Sequence, residues 1–419
     1  MGSSEEVLTG YDSIRSSQED FYRDLHRHPE LSHQEERTAG RVSGQLRNFG
    51  YRVSTGIGGT GVTGVLENGA GPTVLLRADM DALPVREDTG AEYASTETAV
   101  DAKGREVPVM HACGHDVHVS CLVGAAQLMA DRPDQWNGTL IALFQPAEEV
   151  GDGARGMIDD GLLTRIPRPD VALGQHVLPG IAGTVQTRPG PFLTSADSMK
   201  VTVYGRGGHG AMPQNTVDPV ILAAMVVVRL QTVVSRETAP TETAVLTVGS
   251  IQAGSKSNIV PDSAVIQLNM RAYSPRTRQR MQEAVRRIVR AECQASGSPR
   301  DPDFEVFDSF PVTDNDLTVT AEVADAFTRH FGERAGRAGQ QTASEDFSDI
   351  PRAAGIPYTY WALGGTDPQT FRSALEAGRV QEDVPANHSP QYLPIMQPTL
   401  RTGTEALVVA ALAWLTPSS

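Results

Sequence analysis

Cysteine is scarce: Cys113, Cys121 and Cys293 are the three in 419 residues. Their number is odd and their spacing irregular, which excludes a disulfide framework, and without a CxxC pair there is no zinc knuckle. A reducing compartment is the expectation, cytoplasmic in a bacterium. Lysine is equally rare, at Lys103, Lys200 and Lys256, so arginine carries nearly all the positive charge. Acidic side chains outnumber basic ones, 51 to 36, for a net charge of −15. Such a chain repels phosphate backbones, which argues against a nucleic-acid partner. Long apolar runs are missing as well. The longest, around 223–228 and 407–415, fall short of the roughly 18 residues a bilayer span needs, so no membrane partner is expected. Residues 1–10 have neither the basic stretch nor the apolar stretch of a secretory leader. Aromatic residues are few, and Trp136, Trp361 and Trp414 carry no cofactor signal.

What is present suffices for sizeable cores: 39% apolar and 21% charged residues exclude a wholly disordered chain. The length suggests two or three domains. Residues 5–28 read as one polar helix. Ser32, with Glu35 three residues on, reads as the capping box of a second helix ending near Gly50. Strands are expected at 51–54, 61–66, 73–77, 139–144 and 171–175, with helices at 118–131 and 153–161. Strands alternating with helices argue an α/β domain with a mostly parallel sheet. The string Gly56-Ile57-Gly58-Gly59-Thr60-Gly61 matches a dinucleotide fingerprint by letter. A strand follows it rather than a helix, so it reads as a turn. Strands at 198–204, 244–251, 264–272 and 304–307, with helices at 217–235 and 276–294, give the order βαββαβ of a ferredoxin-like unit. The expected organisation is therefore a catalytic domain of residues 1–189 and 313–419, with residues 190–312 inserted as a ferredoxin-like α+β domain. Afterwards come a helix at Leu317–Phe331, a short strand at 358–361, a loop around Gly364-Gly365 and a last helix at 400–414.

Chemistry-bearing side chains gather where strands end. Met110-His111-Ala112-Cys113-Gly114-His115-Asp116 puts a Cys-x-His pair on a turn before a helix, and thiolate and neutral imidazole are good metal donors. Phe144-Gln145-Pro146-Ala147-Glu148-Glu149 closes an apolar strand with two carboxylates. On an extended chain they point apart, so one could hold metal while the other serves as a base. His176 ends another strand, and open α/β sheets build sites beyond such ends. His388 lies in Asn387-His388-Ser389-Pro390, a polar loop before the last helix. Asp79 and Asp81 follow the strand at 73–77, where a carboxylate could orient a ligand imidazole. Each motif alone also fits a plainer reading: core packing, an acidic loop, a surface histidine or a turn. Together, three histidines, a glutamate and a thiolate exceed one structural zinc and suit two metals roughly 3.5–4 Å apart. His26, His28 and His33 read as surface or hinge residues, His118 as packing or support for the ligands, and Cys121 as core.

The strings HRHPELSHQEERT, LRADMDALPV, MHACGHDVH, FQPAEEVGDGARGMIDDGL, YGRGGHGAMP and NHSP occur in that order. From about Phe21 to Tyr392 the chain resembles the dinuclear metallopeptidase family of N-acyl-amino-acid amidohydrolases, with its hippurate hydrolases and indoleacetate–amino-acid hydrolases. The resemblance implies two divalent ions per subunit (Mn, Co or Zn) held by Cys113, His115, Glu149, His176 and His388, with Cys113 bridging. It implies Glu148 as general base and Asp81 as the acid supporting the site. It implies His209 in the inserted domain as a catalytic, substrate-steadying residue, with Asn258 and Arg271 as weaker substrate contacts. Tyr392 and Ala343 depart from the commoner Phe and Gly, touching pocket shape only. The implied activity is metal-dependent hydrolysis of N-acyl amino acids or small amide conjugates. A small-peptide carboxypeptidase or dipeptidase, or a repurposed non-hydrolytic relative, is the alternative. The implied partners are a small-molecule substrate and a second copy, the inserted domain serving as lid and dimerisation surface.

Overall fold

The computed structural model describes residues 3–415. The described chain divides into two compact units. One comprises Met1–Gly190, Asp314–Gln340 and Asp346–Ser419; the other comprises Pro191–Thr313 with the short segment Gln341–Glu345.

The first unit is α/β. Its eight-stranded sheet runs, in spatial order, Arg52–Ile57, Gly61–Asn68, Gly138–Gln145, Thr73–Asp79, Val171–Ile181, Tyr358–Thr366, Val185–Thr187 and Ala335–Arg337. The four central strands, from Gly138–Gln145 to Tyr358–Thr366, are mutually parallel. Their sequences are nearly continuous apolar runs, as strands covered on both faces require. The helix His115–Asp131 is apolar all round and buried along almost its whole length. It shares one core with the sheet, with Tyr11–Arg27 and with the last helix, Met396–Leu415.

The glycine string at 56–61 turns between two antiparallel strands, as its sequence context implies. Other local expectations needed correction. Residues 5–28 form two helices, Ser3–Leu8 and Tyr11–Arg27. The helix after Cys113 begins at His115, because Gly114 adopts φ +78° and starts the turn early. Gly364 and Gly365 lie inside the strand Tyr358–Thr366, not in a loop. The Ser32–Glu35 capping box does not form. The helix starts at Glu36, and both side chains bond elsewhere. His26 is buried, not at the surface.

The second unit has a four-stranded antiparallel sheet in the order Ala244–Ala253, Ser263–Ala272, Ser195–Tyr204, Asp303–Phe310. With Pro219–Glu237 and Pro275–Ala295 the chain order is βαββαβ. Pro219–Glu237, nineteen residues, is long and apolar enough to cross a membrane by length and composition, which the short apolar runs had not suggested. It packs on the sheet through Leu222, Ala223, Val226, Leu230 and Val233. Ile221, Met225 and Val228 form an exposed apolar stripe on it.

Candidate metal centre

The register of the central strands places the candidate residues at one level. Asp79 pairs with Gln145, and Arg77 pairs with both Leu143 and Gly174, two residues before His176. Asp81, Glu148, Glu149 and His176 therefore emerge at the carboxyl edge of the sheet. Cys113 and His115 come from the turn and first residue of the helix His115–Asp131. Gly114 between them is required twice over. Its φ is positive, and a Cβ there would stand 2.4 Å from Val177 Cγ1.

Two donor groups share one thiol. Cys113, His115 and His176 offer atoms within 4.8 Å of one another, and so do Cys113, Glu149 and His388. Cys113 Sγ lies 3.5 Å from His176 Nε2, and Glu149 Oε2 lies 3.4 Å from His388 Nε2. The imidazoles are oriented from behind. His115 Nδ1 bonds the Asp81 carbonyl at 2.8 Å, and His176 Nδ1 bonds the Val177 carbonyl at 2.8 Å, so both turn Nε2 to the cluster. Asp81 also accepts the Glu149 N–H at 3.0 Å and the Ser32 hydroxyl at 2.7 Å. His115 Nε2 and Glu149 Oε1 are buried, 3.8 Å apart, and neither has a hydrogen-bond partner among the described residues. Donor atoms of mixed S, N and O type that face one another, one nitrogen and one oxygen of them without a hydrogen bond, are what a pair of divalent cations requires.

The Glu-Glu pair sits on a turn, not on the extended chain its sequence suggested. Ala147 before it holds φ +51°, a left-handed conformation that costs on the order of 1 kcal/mol for a non-glycine residue. The turn lets both acids approach one ring: Glu148 Oε2 is 3.9 Å and Glu149 Oε1 is 3.8 Å from His115 Nε2. Glu148 is buried, while the His388 side chain is 56% exposed and leaves that flank open.

Charge in the cluster is unbalanced. Burial pushes the Cys113 thiol well up, and neighbouring Glu149 adds to it. Burial raises Glu149 to about 8; His115 opposes this, while Asp81 and Asp79 reinforce it. Burial disfavours charge on His115, yet Asp79, Asp81 and Cys113 hold its pKa well above the usual value. Burial and His118 hold His176 well below it. Without a cation, protons occupy the cluster in its place.

Sequence reasoning had read His118 as packing or support for the ligands and had left Arg77 and Asn387 unassigned. His118 bonds Asp79 through Nδ1 and accepts the Val177 N–H at Nε2, so neither nitrogen is available to a metal. Arg77, fully buried, donates to Gln145 at 3.0 Å, to Asp79 and, at 3.2 Å, to Asp346. Arg77 and Asp79 stand in the LRADMD string, and Asp346 in Ser344-Glu345-Asp346-Phe347, but nothing in those strings says they pair. Asn387 donates to the Cys113 and Val177 carbonyls at 3.3 and 3.2 Å.

His209, Asn258 and Arg271 belong to the second unit. His209 is exposed on a two-stranded ladder opposite Ile259. Its Nδ1 accepts the Ala211 N–H at 3.0 Å, which leaves Nε2–H as the donor of the neutral ring. The Asn258 carbonyl accepts the Gly210 N–H at 2.9 Å, beside it. Arg271 is held elsewhere, on the Thr342 carbonyl at 2.8 Å and the Ser344 hydroxyl at 3.0 Å.

A mixed α/β sheet carrying paired donor groups and an adjoining glutamate at its carboxyl edge defines a hydrolase of the two-metal class. Residues 75–384 match the peptidase family M20/M25/M40, and the chain belongs to that family. It is 37% identical over 329 residues to the hippurate hydrolase of Campylobacter jejuni, covering 77% of this chain and 82% of the relative. It is 41% identical over 263 residues to an N-acetyl-L-cysteine deacetylase of Bacillus subtilis, a match spanning 62% of this chain and 60% of that protein. The solved YXEP protein of Bacillus subtilis, described as a dinuclear metal-binding peptidase, superposes with a TM-score of 0.76 at 27% identity, over 96% of this chain and 98% of that one.

Proposed function

We propose that the chain hydrolyses the amide bond of N-acyl amino acids or closely related small conjugates. The observation that carries this reading is the pair of donor groups sharing Cys113, with Glu148 at their edge. Relatives named for N-acetylcysteine and hippurate, both N-acyl amino acids, support the substrate class. Two divalent cations (Mn, Co or Zn), held by Cys113, His115, Glu149, His176 and His388, would supply Lewis acidity and lower the pKa of water from 15.7 towards about 7.

The chain's own part is proton movement and orientation. Glu148 takes one proton from the attacking water as its oxygen adds to the amide carbon. It returns that proton to the nitrogen as the C–N bond breaks, leaving a free amine and a carboxylic acid, which keeps the water's second proton until it ionises to the carboxylate. Asp81 fixes His115 through its carbonyl and the Glu148-Glu149 turn through its carboxylate. His209 contributes Nε2–H to a developing oxyanion or a substrate carboxylate, and Asn258 beside it is a further substrate contact. Arg271 acts on substrate through the Gln341–Glu345 segment it holds. The second unit acts as lid and as the contact for a homodimer, using the exposed stripe on Pro219–Glu237 and the edge strand Ala244–Ala253, where Val245 and Ile251 are exposed. Three buried, unpaired thiols, one of them the shared donor, suit a reducing, cytoplasmic setting.

The test is amine release from N-acetyl-L-cysteine, hippurate and a dipeptide, after chelation and after add-back of Mn, Co or Zn. Glu148→Gln should keep its metal and lose roughly 10²–10⁴ in turnover. Parental turnover in that variant would remove the base assignment. Preference for the dipeptide would favour a small-peptide carboxypeptidase, and no release despite bound metal a non-hydrolytic relative.

A further inference from the structure

Three non-glycine residues among those described hold a positive φ: His33, Ala147 and His388. One is a candidate donor, one precedes the Glu148-Glu149 pair, and the third lies within residues 32–35, the segment whose capping box failed to form. Left-handed alanine persists only where its surroundings over-determine it. At Ala147 the carbonyl accepts the Gly153 N–H at 3.2 Å, and the side chain that holds the N–H is Glu35. Its side chain is fully buried. Oε1 accepts the Ala147 N–H at 2.9 Å and the His33 N–H at 3.0 Å, and Oε2 accepts the Thr60 hydroxyl at 2.6 Å. All three partners donate, so an acceptor is wanted on both oxygens.

The same segment grips the other side of the turn. Ser32 donates to Asp81, whose same oxygen accepts the Glu149 N–H. The Ala82 N–H bonds the Glu30 carbonyl at 2.8 Å, tying residues 30–35 to the stretch that carries Asp81. The two grips therefore fall on either side of Glu148, at the amides of Ala147 and Glu149.

We infer that Glu35 is a positioning residue for the proposed general base: its carboxylate clamps the left-handed Ala147 and so fixes where Glu148 is presented. The inference rests on the reading of Glu148 as base. Glu35 touches no reacting atom, so its loss acts on turnover through Glu148 and leaves the Cys113, His115, His176 and His388 donors in place.

The experiment measures kcat, KM and bound metal for purified, metal-loaded variants on the best substrate of the panel. Glu35→Ala is expected to lose tenfold or more in kcat, with KM and metal content within twofold of the parent. Glu35→Gln keeps an acceptor for Ala147, and the Thr60 hydroxyl can rotate to accept, so it should recover most of the turnover. Glu35→Ala combined with Ala147→Gly should regain part of the loss, because glycine holds a positive φ without a clamp. A general loss of stability would show neither pattern. Parental kcat in Glu35→Ala, or a loss that tracks metal content, would overturn the inference. If Glu35→Ala does not fold, Thr60→Val frees one oxygen of the clamp and should lower kcat severalfold at unchanged KM; unchanged kcat overturns the role. Glu148→Gln run alongside separates the two readings. Parental turnover there removes the base, whereas an inactive Glu148→Gln beside a fully active Glu35→Ala removes only the clamp.

Discussion

His118 Nε2 accepts the Val177 backbone N–H at 2.8 Å, one residue beyond His176. The other nitrogen of the ring bonds Asp79, which Arg77 also holds. Burial alone would raise the Asp79 carboxyl, but His115, His118 and Arg77 keep it well below the usual range. A fixed anion thus orients a ring, which in turn fixes the strand residue next to a candidate donor. His118→Asn should lower metal affinity by about 10–100-fold, the usual cost of losing such a support. Chelator competition measures it, and unchanged affinity would show that the strand alone fixes His176.

Metal uptake should release protons. Cys113 is pushed well up and Glu149 to about 8, so the metal-free cluster is protonated at pH 7. A cation requires both deprotonated. Affinity should therefore rise with pH, and less steeply above about 8, where Glu149 ceases to contribute and Cys113 still holds its proton. Calorimetry in buffers of different ionisation enthalpy reads the proton count directly; a count near zero at pH 7 would contradict this cluster's protonation.

A second pH effect belongs to stability. Burial works against charge on His26, but Asp116 at 2.6 Å and Glu87 at 3.1 Å outweigh it and raise its pKa to about 9. The folded value exceeds the unfolded one, near 6.5. The stabilisation is therefore complete below about pH 6.5 and is lost as pH rises through about 9, a difference of roughly 3 kcal/mol. Urea midpoints of the metal-free protein at pH 6 and pH 9.5 should show this decline. In His26→Asn the decline should shrink; an equal decline would assign it to other groups.

The stripe of Ile221, Met225 and Val228 repeats at i, i+4 and i+7 and is about half to two-thirds exposed. If it pairs two copies, Ile221→Asp with Val228→Asp should shift the sedimenting species from dimer to monomer. A parental protein that sediments as a monomer would end the dimer proposal.

The fold class was legible because it rests on local pattern. Apolar runs of strand length between amphipathic helices layer as α/β, and such a sheet gathers strand ends along one edge. The order βαββαβ was readable for the same reason. The candidate donors Cys113, His115, Glu149, His176 and His388 came as a set from the family resemblance; the Glu148-Glu149 pair by itself leaves open which of the two faces a metal. Tertiary contact decided what local pattern cannot carry. Ser32 and Glu35 spell a capping box, yet their oxygens find better partners in Asp81, Thr60 and the Ala147 amide, remote in sequence. His26 looks like one of three surface histidines until Asp116 and Glu87 enclose it. Glu148 and Glu149 look extended until the Ala147 turn brings both to one imidazole. A sequence states which side chains can donate or accept; which partner each one takes is settled by burial, because an unpaired polar atom away from water costs more than a local bond repays.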